Sequence, residues 1–404
     1  MTIITAHAKP SLIRAFTAPK GFGDQTLRDP RPDAIELLGG IPDPGVLPAA
    51  ELAEATARVL SRPGLPALQY SRTAGISPIR EWIAAREGVP VDRIVITNGG
   101  FHGLALTIQV VLERGDLVAV DNPVFPLFLR GLELSDATTL PIPVGPDGLD
   151  LDALERALAA GARPRALYTV PDFHNPTQGT LPAVGRERLV ALAERYDFVV
   201  FADNPYRELW YGDGPEPVDA FNHSEHVVHV NTFTKTLGPG LRMGWIVVPE
   251  RFVGDVVALR SRQDSHSSTF VQAVIGELVT ADDALFDRTL DRARALYRSR
   301  AETLAAALAT AAPGVFDVTV PGGGLFLWPR IIDDRIDPDG LAAAASAEGV
   351  EYQRGGFFPS GPGTDTGRHL RLAYGDTDRT QLLEAATRLG RAAERLRSGG
   401  NSIA

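Results

Sequence analysis

From Arg93 to Val248 the chain alternates short apolar strands with helix-patterned segments, and that order constrains its fold more than any other feature. Arg93–Thr97, Leu117–Val120, Ala166–Val170, Phe198–Ala202, Val227–Val230 and Trp245–Val248 read as strands. They show little polar alternation, as strands buried on both faces do. Gly103–Glu113, Leu127–Leu134 and Gly185–Arg195 read as helices between them, and Leu47–Leu60 as an amphipathic helix before them. Such an order predicts an α/β fold, with a mostly parallel sheet and helices on both faces. From about Ala284 the pattern changes. Asp287–Ala312 reads as a long helix, followed by short strands at Phe316–Val320, Leu325–Trp328 and Leu370–Ala373 and helices at Gly340–Glu348 and Thr380–Leu396. The expected division is an N-terminal arm (1–40) packing beside a small α+β domain (284–404), with a large domain (41–283) between them in sequence.

Composition narrows the function. The 404-residue chain holds 40 basic and 50 acidic residues, a net charge of −10, which argues against a general nucleic-acid binder. It has no cysteine, so disulfides, thiolate catalysis and cysteine-ligated metals are excluded. No apolar run is long enough to span a bilayer, and Met1 to Phe16 lacks an apolar signal core. The expectation is a cytoplasmic protein with neither membrane nor nucleic-acid partners and no metal. Lysine occurs only at Lys9, Lys20 and Lys235, every other basic residue being arginine. A lysine kept mid-chain in so arginine-rich a protein points to amine chemistry that a guanidinium cannot perform.

Ligands of open α/β sheets bind at the carboxyl ends of the strands. The first strand is followed by Asn98-Gly99-Gly100-Phe101-His102 and a helix, a place where backbone N–H groups can meet an anion. It is neither a dinucleotide fingerprint nor a P-loop. Ala166–Val170 is followed by Pro171-Asp172-Phe173-His174-Asn175-Pro176-Thr177, either a proline-rich turn or a loop whose amide faces a ligand. Phe198–Ala202 leads into Asp203-Asn204-Pro205-Tyr206. That carboxylate suits a helix cap or a protonated ring nitrogen. Val227–Val230 leads into Thr232-Phe233-Thr234-Lys235-Thr236 and Gly238-Pro239-Gly240-Leu241-Arg242. Hydroxyls, an amine and a guanidinium on one loop suit a phosphate beside a Schiff-base carbonyl.

With these segments in this order, the chain resembles the class I/II, fold-type I, aminotransferases that use pyridoxal 5′-phosphate. It is most similar to the branch holding 2-aminoadipate and aromatic aminotransferases, from about Ser11 to Leu396. The resemblance implies a large cofactor-binding domain with a seven-stranded type of sheet, a smaller α+β domain, and a homodimer with shared active sites. It implies transfer of an amino group from an L-amino acid to a 2-oxo acid through a Lys235 aldimine. By the same similarity, Asp203 pairs with the pyridine nitrogen, and Asn175 and Tyr206 bond the ring's phenolic oxygen. Phe125 stacks on the ring. Gly99, Gly100 and Phe101 give backbone donors to the phosphate, with Thr232, Thr234 and Arg242. Tyr70 reaches the neighbouring subunit's phosphate, and Arg371 grips the substrate α-carboxylate. Gly40 lines the substrate pocket, and Arg14 covers it from the N-terminal segment.

The chain departs from the family pattern in places. Gln178 stands where glycine usually follows Asn-Pro-Thr, Gly100-Phe101 replaces a Ser/Gln pair, and Arg354 replaces a common proline. Arg14, His174, Gln178 and Arg354 are the expected pocket residues. The scaffold also runs elimination, replacement, cyclisation and oxidation, so a specialised enzyme of secondary metabolism is the second reading.

Overall fold

The computed structural model describes residues 31–212 and 214–399. Arg14 lies outside them. Nine strands come first in the chain: β1 (Ile35–Leu37), β2 (Ile94–Thr97), β3 (Leu117–Asn122), β4 (Thr138–Gly145), β5 (Gly148–Leu149), β6 (Ala166–Thr169), β7 (Val199–Asp203), β8 (Val227–Thr232) and β9 (Gly244–Val247). All but β1 form one sheet, in the order β2-β9-β8-β7-β6-β3-β4-β5. Pairings from β8 through β7, β6 and β3 to β4 are parallel. Strand β9 runs antiparallel to both its neighbours, so β2 points the same way as β8. Every residue of β2, β6, β7, β8 and β9 is buried, which fits the largely apolar sequences of these strands.

The sheet has eight strands where the resemblance implies seven, because the two-residue β5 adds an edge. Strand β4 carries Pro141 and Pro143, which disguise it as a loop. Pro143 O accepts from Asp150 N on the outer side, so the missing proline donors face away from β3 and the β3–β4 ladder survives. Three strands also run further than their sequence suggests. Strand β3 ends on Asn122, β7 on Asp203 and β8 on Thr232, which brings all three to the carboxyl edge of the sheet.

The remaining strands are β10 (Phe316–Asp317), β11 (Phe326–Leu327), β12 (Arg330–Ile331), β13 (Val350–Arg354) and β14 (Leu370–Ala373). A second sheet has the order β1-β13-β14-β11. Strand β1 joins it by parallel pairing with β13, and β13, β14 and β11 pair antiparallel. The long helix Leu285–Ala311 and the helix Arg379–Arg397, started by an Asp378–Gln381 capping box, bury apolar faces beside this sheet. No helix among the described residues is long and apolar enough to cross a membrane.

Candidate active site

The parallel strands deliver their carboxyl ends to one edge. There β2 supplies Gly99 and Gly100, β6 leads to Asn175, β7 ends on Asp203, and β8 runs into Lys235. Strand β14 brings Arg371 from the second sheet, and the segment after β1 brings Gly40.

Lys235 follows a short turn in which Thr232 caps Thr234 N at 3.1 Å. Its Nζ donates to Gly40 O at 2.6 Å and lies 5.9 Å from the Tyr206 ring centre. Burial, and after it the nearby Arg371 charge, lower its pKa to about 8 against the pull of Asp203. Gly40 is glycine for want of room. A Cβ there would lie 2.5 Å from Phe326 Cζ, and the ring would push the Gly40 carbonyl off the amine.

Asp203 is buried, and its Oδ2 accepts the Tyr168 hydroxyl at 3.0 Å. Burial raises its pKa to about 7, although the Tyr168 hydrogen bond and the Lys235 charge both favour the ionised form. Tyr168 is fixed in turn by face-to-face stacking on Phe128, 3.6 Å between ring centres. Tyr206 is also buried, with its hydroxyl held by the Asn175 amide, and burial pushes its pKa above the ordinary phenol value. Asp203 and Tyr206 both face the space beside Lys235.

Arg371 is 1% exposed. Its Nη1 donates to Asn175 Oδ1 at 2.8 Å and its Nη2 to Leu38 O. Its guanidinium lies between the rings of Phe326 and Phe358, 4.3 and 5.2 Å from their centres. Removal from water pulls its pKa down to about 9.

A second cluster forms a cup. Thr232 Oγ1 meets Thr234 Oγ1 at 2.7 Å and Met243 O at 3.0 Å. The Arg242 guanidinium reaches Asn98 O at 3.3 Å. Gly99 has φ +88, and a Cβ there would lie 2.7 Å from Arg242 Nη2. The helix Gly100–Val111 begins beside Thr232 and Arg242 with no side-chain cap on its first N–H groups. A bare-backbone cradle beside a guanidinium, next to a helix N-terminus, has the shape and charge for a phosphate. A buried carboxylate beside an amine fits a protonated ring nitrogen and a Schiff-base carbonyl.

Among the other expected residues, Tyr70 is 93% exposed, with an edge-to-face contact to His266 at 5.8 Å between ring centres, and the chain's own site does not include it. Phe101 is exposed on its helix, leaving its backbone as its contribution. Phe125 precedes the helix Pro126–Leu132 and packs against the main core. Three pocket expectations need correction. His174 is fully buried, 3.2 Å from Asp121 Oδ2 and hydrogen-bonded to Thr177, because its loop folds over it. Gln178 adopts φ +68 and turns onto its own loop, donating to His174 O and Pro176 O. Arg354 points away, pairing with Asp339 at 2.7 Å and lining a separate groove with Tyr352, Arg368 and His369. Sequence reasoning missed Tyr168, Phe326 and Phe358. Tyr168 lies inside an apolar strand, and nothing local marks it as the partner of Asp203.

Residues 40–389 match the family model for aminotransferase class I and II. The chain is a class I/II aminotransferase. A 2-aminoadipate transaminase of Thermus thermophilus is 35% identical to it over 90% of this chain and 90% of its own length. The aromatic-amino-acid aminotransferase 1 of Thermococcus litoralis is 31% identical over 88% of this chain and 87% of its own. The crystal structure of α-aminoadipate aminotransferase from Thermus thermophilus, complexed with N-(5′-phosphopyridoxyl)-L-leucine, is 33% identical with a TM-score of 0.83, covering 91% of this chain and 94% of that one. The cofactor of this aminotransferase is pyridoxal 5′-phosphate, and the cup, the carboxylate and the amine fit its three recognition features.

Proposed function

We propose that this aminotransferase takes the amino group of an L-amino acid onto a cofactor held by Lys235 and returns it to a 2-oxo acid. The observation that carries this reading is the meeting of amine and fork. Lys235 Nζ donates to Gly40 O and Arg371 Nη2 to Leu38 O, two residues apart on one segment. One α-amino acid lying there would present its amino group to the first and its carboxylate to the second.

Pyridoxal phosphate supplies the carbonyl and the electron sink when bound. The protein's own groups do the rest. Arg371 orients the substrate by two parallel hydrogen bonds to its carboxylate. Lys235, with its amine already pulled down to about 8, is neutral often enough to take a proton from the substrate Cα and return it on the far side of the transfer. Asp203 would be ionised beside the ring's N–H and would keep that nitrogen protonated. Tyr206 and Asn175 would donate to the phenolic oxygen, and Phe125 would cover the ring. Gly99, Gly100 and Phe101 with Thr232, Thr234 and Arg242 would hold the phosphate.

The enzyme is further proposed to act as a cytoplasmic homodimer, in which the outward Tyr70 completes the partner's phosphate cup. The relatives named for 2-aminoadipate and aromatic amino acids make those the first substrates to assay, with Arg14 a candidate for reading a distal carboxylate. The test is the visible spectrum of the holoenzyme during titration with single amino acids. The expected result is loss of the resting band with one amino acid, release of its 2-oxo acid, and recovery on adding a 2-oxo acid. A band that changes without 2-oxo acid release would refute transamination and favour the specialised chemistries.

A further inference from the structure

Arg354 stands out in the sequence, but strand alternation directs attention to its neighbour. Tyr352 and Arg354 face the groove on one side of β13, so Gln353 between them faces the other side. In the β13–β14 register Gln353 lies directly opposite Arg371, and opposite residues share a face. The Gly355 N–H to His369 O bond fixes the alternation. It makes Gln353 and Arg371 a hydrogen-bonded pair, with Cα atoms about 5.5 Å apart.

Gln353 is 0% exposed, and neither its Oε1 nor its Nε2 has a hydrogen-bond partner. A buried amide with both ends unmade is costly, and native interiors keep few of them. Leucine or methionine would fill this strand position without that cost. Arg371 meanwhile spends its fork on Asn175 Oδ1 and Leu38 O. Those bonds use two of the five guanidinium N–H groups. A carboxylate that takes two parallel N–H groups fixes the guanidinium plane, and a neighbouring acceptor can hold a remaining N–H in that plane.

We infer that Gln353 is a positioning residue for carboxylate recognition: its carboxamide oxygen accepts a guanidinium N–H of Arg371 when the fork turns onto the substrate. An amide suits this task better than a carboxylate. It fixes the plane of the guanidinium and leaves its charge for the substrate. The inference rests on the reading of Arg371 as the carboxylate fork.

The test uses holoenzyme variants Gln353→Met, Gln353→Leu, Gln353→Glu and Arg371→Gln. Three quantities are read: KM and kcat for the amino acid, the Kd of propionate from the visible absorbance, and the Tm of the cofactor-free protein. Gln353→Met is expected to raise KM and the propionate Kd about tenfold to a hundredfold, as loss of a hydrogen bond to a charged group does, with kcat little changed. Its cofactor-free Tm should hold or rise, because an unpaired amide has gone. Gln353→Glu should weaken propionate further, its own carboxylate competing for the fork. Wild-type propionate affinity in both the Met and Leu variants would overturn the inference, as would an affinity loss that only tracks a fall in Tm. Arg371→Gln separates the two failures. If it leaves propionate binding intact, the Arg371 reading fails. If it abolishes binding while Gln353→Met changes nothing, only the role of Gln353 fails.

Discussion

Asp203→Asn should stabilise the cofactor-free protein while weakening its hold on the cofactor. Asp203 is 6% exposed, and burial raises its pKa from 3.8 to about 7. Roughly three decades of proton affinity correspond to about 4 kcal/mol, the cost of holding the ionised carboxylate in the folded chain. Because the folded pKa lies above the unfolded one, the native state binds more protons across this window, and stability falls as pH rises. The penalty is nil below about pH 4, grows through the interval, and is complete above about pH 7. Asparagine keeps an oxygen for the Tyr168 hydroxyl and removes the charge. Its gain over wild type should therefore be near zero at about pH 4 and approach, as an upper bound, about 4 kcal/mol at about pH 8. The attraction to Lys235 is already contained in that net shift. Urea unfolding of both cofactor-free proteins across this range measures it. With pyridoxal phosphate present the variant's advantage should shrink, because it binds cofactor about tenfold to a hundredfold more weakly for want of a charge-assisted hydrogen bond, about 1.4 to 2.7 kcal/mol. Parallel stability curves for the two proteins from about pH 4 to 8 would refute the claim that Asp203 is held at an energetic cost for a cationic partner.

Gly99→Ala should weaken inorganic phosphate and cofactor binding at least about tenfold, since its Cβ would press on Arg242 Nη2 and its φ of +88 strains any L side chain. Phosphate affinity equal to wild type by calorimetry would place the cup elsewhere. In cofactor-free protein, acylation of Lys235 followed by mass spectrometry should show a midpoint at about pH 8, and a midpoint above pH 10 would contradict the desolvated amine. Tyr70→Ala should lower cofactor retention without lowering the Tm of the cofactor-free chain, because the side chain is 93% exposed on its own subunit. Unchanged retention on dialysis would remove Tyr70 from the site.

Where the sequence carried its own chemistry, the site was readable. Lys235 was marked by the rarity of lysine, and Asp203 by a carboxylate closing an apolar strand. Gly99 and Gly100 were marked as backbone at a helix start, and the structure adds why Gly99 admits no side chain. What stayed hidden depended on contacts across the chain. Tyr168 serves Asp203 from a neighbouring strand, and Phe326 flanks Arg371 from β11 and Phe358 from the turn after β13. Strand β4 was masked by two prolines that proved harmless because their missing donors face outward. Arg354 drew attention as an unusual residue, yet a period of two turns it away and turns the plain Gln353 toward Arg371.

The account stands on Lys235 as the residue that carries the cofactor, and the chain offers only Lys9 and Lys20 as alternatives. Borohydride reduction of the holoenzyme, followed by digestion and mass spectrometry, would fix the cofactor to its lysine and locate it. The predicted result is a phosphopyridoxyl group on the peptide that contains Lys235 and on no other. The group on Lys9 or Lys20, or on neither of these nor Lys235, would contradict the account.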